Sequence, residues 1–130
     1  RAAGIAAELQ PFIPDVPERL ARAHLAIVRS GASTIADLTV IGRPAIYVPL
    51  PGALDADQRQ NALFVEAAGG GWIMEQATIS PPSLANRLAS LLSDPAKLTA
   101  AAAAAQSLGQ PQAVAQLADL VEAAGKGKTT

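Results

Sequence analysis

The sequence predicts an α/β fold, a parallel sheet flanked by helices, from three observations. Residues 25–28 (Leu-Ala-Ile-Val) and 45–50 form short apolar runs without polar alternation, the pattern of strands covered on both faces. The second run is also rich in β-branched and aromatic residues. Between them residues 33–41 carry helical signals and end at Gly42. Strand, helix and strand in that order imply a right-handed parallel crossover.

The other elements follow in chain order. Residues 7–10 read as a first strand, and 16–23 as a helix with Pro17 in its first turn. After the run at 45–50, residues 58–68 read as a helix with Leu63 and Phe64 on one side. Gly69-Gly70-Gly71 stops it, and 72–74 is a brief strand. The last third is helical. Ser80 is the expected N-cap of a helix with Pro81 and Pro82 in its first turn. There Leu84, Leu88, Leu91 and Leu92 share one face. Asp94-Pro95 opens a second helix that runs through Ala100 to Gln106. Pro111 opens the last one, with Val114, Leu117, Leu120 and Val121 expected to face inward. Residues 125–130 read as a flexible polar tail, leaving one domain over 1–124.

Composition narrows the function classes. Half of the 130 residues are hydrophobic, but alanine supplies much of that half, so the core must come from Leu, Ile and Val. A net charge of −1 with 16% charged residues gives no basic face for nucleic acid. Without cysteine there are no disulfides, no thiolate chemistry and no Cys-ligated zinc. No apolar run approaches the roughly 20 residues of a membrane-spanning helix, and no signal peptide is visible. Arg1 in place of Met reads as a piece of a longer protein.

Two segments carry candidate chemistry. Arg29-Ser30-Gly31-Ala32-Ser33-Thr34 leaves a strand and opens a helix. A helix start there offers unpaired N–H groups and partial positive charge at the carboxyl end of a strand, where ligands of open parallel sheets bind. Gly31 permits close backbone approach, Ser33 and Thr34 add hydroxyls, and Asp37 lies one turn on, placed to accept hydrogen bonds from a ribose diol. The bland alternative is a helix capped by Ser30 or Ser33 with a solvated Asp37. Asp55-Ala56-Asp57-Gln58-Arg59-Gln60-Asn61 follows the next strand and should face the same crevice. Its amides and carboxylates suit sugar hydroxyls, though an Asp-rich helix start with a solvated face fits as well.

Taken together, Arg29 to Leu38, Gly42 to Pro51, Asp55 to Gln58 and Asn61-Ala62 resemble the MurG family. Those bacterial transferases move N-acetylglucosamine from its UDP donor to lipid I, making lipid II. Pro11-Phe12-Ile13 matches the family's uracil loop, and the likeness runs from near Arg1 to about Ala124.

The resemblance implies the GT-B arrangement, a donor cleft between two Rossmann-like domains. This chain would be the later part of the C-terminal, donor-binding domain, without its first strand and glycine-rich loop. Phe12 and Ile13 would meet uracil. Ala32, Ser33 and Thr34 would hold the diphosphate and sugar, with Ser30 and Gly31 completing that substrate-binding stretch. Gln58 and Asn61 would bind hydroxyls of N-acetylglucosamine, with Asp57 beside them. Two residues depart from the family pattern: Asp37 stands where Glu is usual, and Asp57 where Gln or His is common.

The acceptor site and catalytic base belong to the family's N-terminal domain, so no catalytic residue is assigned. His24, the only histidine, reads as structural. No cofactor or metal is expected, since Asp55 and Asp57 lack a partnering His. The implied partners are the UDP-N-acetylglucosamine donor and, through the other domain, lipid I. The implied location is cytoplasmic, peripheral on the inner face of the cell membrane. Two alternatives stay open: a non-catalytic nucleotide-sugar-binding subunit, and a flavodoxin-like nucleotide-binding module.

Overall fold

A computed structural model describes residues 4–52 and 56–127. Three strands, β1 (Ala26–Val28), β2 (Ala45–Tyr47) and β3 (Gly71–Ile73), form one parallel sheet in the order β1-β2-β3. Ala26 pairs with Ala45, and Ala45 with Gly71. α1 (Val16–Arg22) precedes β1, α2 (Ala32–Ile41) joins β1 to β2, and α3 (Ala56–Ala67) joins β2 to β3. A short 3₁₀ turn (Gln76–Thr78) leads to α4 (Pro81–Leu92), α5 (Pro95–Ser107) and α6 (Ala113–Lys126). Parallel crossovers of one hand between successive neighbours bring α2 and α3 to the same face of the sheet.

That face holds the core. Leu38 of α2 and Ala62 and Val65 of α3 pack with Ala26, Ala45 and Tyr47 of the strands, all buried. Tyr47 is wholly enclosed, its hydroxyl has no partner among the described residues, and burial pushes its phenol up to about 12. The close pairing of β2 and β3 depends on Gly71. A Cβ there would stand 2.6 Å from the Ala45 carbonyl oxygen and 2.6 Å from Tyr47 Cε2.

Local signals set the helix ends. Gly42 adopts the left-handed conformation at φ 76°, and the N–H groups of Gly42 and Arg43 both reach the Leu38 carbonyl, at 2.9 and 2.8 Å. Arg43 then turns back onto the last carbonyls of α1. Its Nε donates to the Leu20 oxygen at 2.9 Å and its Nη2 to that of Ala21 at 2.8 Å. Ser80 caps α4 in a reciprocal box with Ser83, and Asp94 caps α5 by accepting from the Lys97 N–H.

Several expectations are corrected. Residues 7–10 form no strand; they are exposed, and Glu8 pairs with Arg19 of α1 at 3.1 Å. The free side of β1 carries no strand among the described residues, and Ile27 is 46% exposed, so β1 is not covered on both faces as β2 is. On α3 the buried face is Ala62 and Val65; Phe64 points outward. On α4 Leu91 is buried and Leu84 and Leu88 half-buried, while Leu92 is exposed. The apolar stripe of α6 does not face inward. Val114, Leu117, Leu120 and Val121 are 83, 62, 67 and 65% exposed. Periodicity showed that the helix has an apolar side, but not that any described element covers it. α6 also runs to Lys126, past the start of the expected tail; residues 128–130 lie outside the described ones. Among the described residues no helix is long and apolar enough to cross a membrane.

Candidate functional site

Because all three strands are parallel, their carboxyl ends share one edge, and the segments leading into α2 and α3 meet there. α2 begins at Gly31, which is extended (φ −63°, ψ 151°), and no side chain caps it. Neither Ser30 nor Ser33 fills that role, so the capped-helix alternative does not describe this structure. The first helical bond runs from the Ile35 N–H to the Gly31 carbonyl at 3.0 Å. The N–H groups of Ala32, Ser33 and Thr34 therefore have no intrahelical acceptor. Ala32, Ser33 and Asp37 are exposed, and Gly31 and Thr34 half-buried. The result is a helix start that offers N–H donors and partial positive charge, with a carboxylate one turn along.

The second segment is bonded to the first. Ser30 is fully buried; its Oγ donates to the Gln58 carbonyl at 2.7 Å, and its own carbonyl accepts from Asn61 Nδ2 at 3.1 Å. Gln58 Oε1 accepts from the Leu50 N–H at 3.0 Å. These contacts settle which way each amide points. Gln58 keeps its Nε2 donors for other partners, and Asn61 keeps Oδ1 as an acceptor. Both residues are half-buried, while Asp57, one residue earlier on α3, is exposed. Asp55 lies outside the described residues.

Arg29 stitches the same edge together. Its Nη1 donates to the carbonyls of Val48 (3.2 Å) and Pro49 (3.4 Å), and its Nη2 to Gln76 Oε1 at 2.7 Å, linking the segments that follow β1, β2 and β3. Arg59 of α3 adds an ion pair to Glu75 at 3.0 Å. The frame formed by Arg29, Ser30 and the Leu50 N–H was not legible in the sequence. Its only trace was an Arg-Ser pair directly after an apolar run, and its partners lie far along the chain.

Phe12 and Ile13 precede α1. Ile13 lines a groove along β1 with Val16, Leu20 and Val28, whereas Phe12 is 77% exposed. His24 sits at the amino end of β1, away from this edge, in a hollow with Arg43, Pro44 and Leu98. Among the described residues no group of three or more His, Asp or Glu gathers as a metal site.

Fold and site together define a Rossmann-like α/β domain with a polar shelf at the carboxyl ends of its strands. Residues 2–120 match the glycosyltransferase family 28 C-terminal domain, and the chain belongs to that family. It is 54% identical over 132 residues to the UDP-N-acetylglucosamine–N-acetylmuramyl-(pentapeptide) pyrophosphoryl-undecaprenol N-acetylglucosamine transferase of Rhodospirillum centenum; the match covers 99% of this chain and 35% of the relative. The enzyme of the same name from Brucella canis is 51% identical over 126 residues, covering 97% of this chain and 33% of the relative. The crystal structure of Acinetobacter baumannii MurG superposes with a TM-score of 0.80 at 36% identity, covering 88% of this chain and 34% of that one. The chain thus spans about a third of the length of the curated relatives it matches. The expected GT-B donor-domain fold and the family resemblance both hold.

Proposed function

We propose that this chain is the donor-binding part of a UDP-N-acetylglucosamine-dependent hexosyltransferase that passes N-acetylglucosamine to lipid I with inversion. One observation carries the reading: the uncapped start of α2 is bonded through Ser30 to the two amides of α3, so diphosphate donors and sugar-binding groups share one edge.

In this reading the N–H groups of Ala32, Ser33 and Thr34 and the Thr34 hydroxyl hold the diphosphate. Asp37 accepts from the ribose hydroxyls, Gln58 and Asn61 meet the sugar with Asp57 beside them, and Phe12 and Ile13 flank uracil. The acceptor hydroxyl attacks the anomeric carbon as its bond to UDP breaks. UDP leaves with the electron pair, and a base outside this chain takes the proton. Charge grows on the leaving diphosphate, so preformed N–H donors bind it more strongly in the transition state than in the ground state. Lipid I binding, peripheral membrane attachment and a place on the cytoplasmic face of the membrane belong to the same proposal; similarity to the named transferases supports the lipid I acceptor. The comparisons give the two alternative readings no support.

The test separates sugar from nucleotide. Asn61→Ala should weaken UDP-N-acetylglucosamine binding by about 1–2 kcal/mol and leave UDP binding nearly unchanged, since of the two ligands only the sugar nucleotide loses a partner. Titration of both ligands measures this, and equal losses would make Asn61 purely structural.

A further inference from the structure

We propose that Ser30 is a positioning residue for sugar recognition, acting through Gln58 and Asn61 without touching the donor. This rests on the donor-binding reading above. Ser30 has no exposed surface, so its hydroxyl cannot reach a ligand on the shelf. Its two polar groups face α3: Oγ donates to the Gln58 carbonyl at 2.7 Å, and the carbonyl accepts from Asn61 Nδ2 at 3.1 Å. The residue that follows, Gly31, opens α2. A single buried residue therefore sets the distance between the phosphate-facing helix start and the first turn of α3. It also holds the Asn61 amide with its nitrogen turned inward, which leaves Oδ1 as the outward acceptor. With the Leu50 N–H fixing Gln58 in the opposite sense, the two amides present one acceptor and one donor. A pair of unlike groups at fixed spacing discriminates between sugar epimers, because an inverted hydroxyl leaves one of them unpaired.

The reading separates Ser30 from a residue that only stabilises the fold. Losing the Oγ bond frees the first turn of α3 but leaves the N–H groups of α2 in place. Sugar recognition should suffer, and diphosphate binding should not.

The experiment uses the longest natural form of the protein that contains these residues. Affinities for UDP, UDP-N-acetylglucosamine and its 4-epimer, UDP-N-acetylgalactosamine, are measured for the parent, Ser30→Ala, Asn61→Ala and the double variant, each checked by thermal melting. Ser30→Ala should weaken UDP-N-acetylglucosamine binding roughly five- to tenfold, the effect of one misaligned hydrogen bond, and reduce the preference over the epimer. UDP affinity should stay within about twofold, and the Ser30→Ala effect should shrink in the Asn61→Ala background, since coupled residues are not additive. Ser30→Thr, which keeps the hydroxyl, should restore the preference. If Ser30→Ala does not fold, Ser30→Cys, a weaker donor, reads the same ratio. Equal losses for UDP and the sugar nucleotide, or strictly additive effects, would overturn the positioning role. A parent protein that binds neither sugar nucleotide would overturn the donor reading itself.

Discussion

Leu38→Ala should lower the unfolding free energy by about 2–5 kcal/mol. Leu38 is fully buried and packs in the cluster that joins α2 to Ala26, Ala45 and Tyr47 of the strands and to Ala62 and Val65 of α3. Truncation removes apolar area from water-excluded contact and leaves a cavity. How far the neighbouring Leu20, Ile35 and Leu108 relax into that space sets where in the range the loss falls. The same helix carries Ala32 to Thr34 at its start, so its seating fixes the shelf as well as the core. Urea denaturation should show a lower midpoint with little change in slope. A loss under about 1 kcal/mol would mean that α2 is not anchored by this residue.

Asp37→Ala should weaken UDP binding by about 1–3 kcal/mol, roughly five- to 150-fold, while leaving stability within about 0.5 kcal/mol. The side chain is exposed on α2, one helical turn from Ser33 and Thr34, so its removal opens no cavity. The proposed cause is a ribose hydroxyl left without its acceptor. Asp37→Glu supplies the sharper comparison. Glutamate is one methylene longer and is the residue usual in the resembling family, so Asp37→Glu should keep UDP affinity or improve it. Unchanged affinity in Asp37→Ala would remove Asp37 from the site.

These two neighbours, Leu38 and Asp37, show what was legible in the sequence. The helix between residues 33 and 41 was marked by its flanking apolar runs and by Gly42, and the structure extends it by one residue, to Ala32. Local rules suffice there, because a left-handed glycine and a capping box act within a few residues. Burial was harder. Sequence put Leu63 and Phe64 on one side of α3, yet the residues that pack on the sheet are Ala62 and Val65, and Phe64 is exposed. The stripe on α6 was visible as a pattern, but what covers an apolar face is a tertiary fact. At the candidate site, residue types placed both polar segments at the carboxyl ends of strands, and the structure brings the two segments together there. The bonds that join the two segments were not legible. Ser30 looked like a cap or a ligand residue, and only its buried geometry shows that it spans the gap to Gln58 and Asn61.

The claim that this shelf binds a nucleotide sugar is met most directly by calorimetric titration of UDP-N-acetylglucosamine, and of UDP in parallel, into the longest natural form of the protein containing these residues. Two temperatures guard against a vanishing heat, because binding that buries apolar surface changes its enthalpy with temperature. The account predicts saturable binding of both ligands, with the sugar nucleotide bound more tightly than UDP through Gln58 and Asn61. No saturable heat from either ligand at either temperature would contradict it.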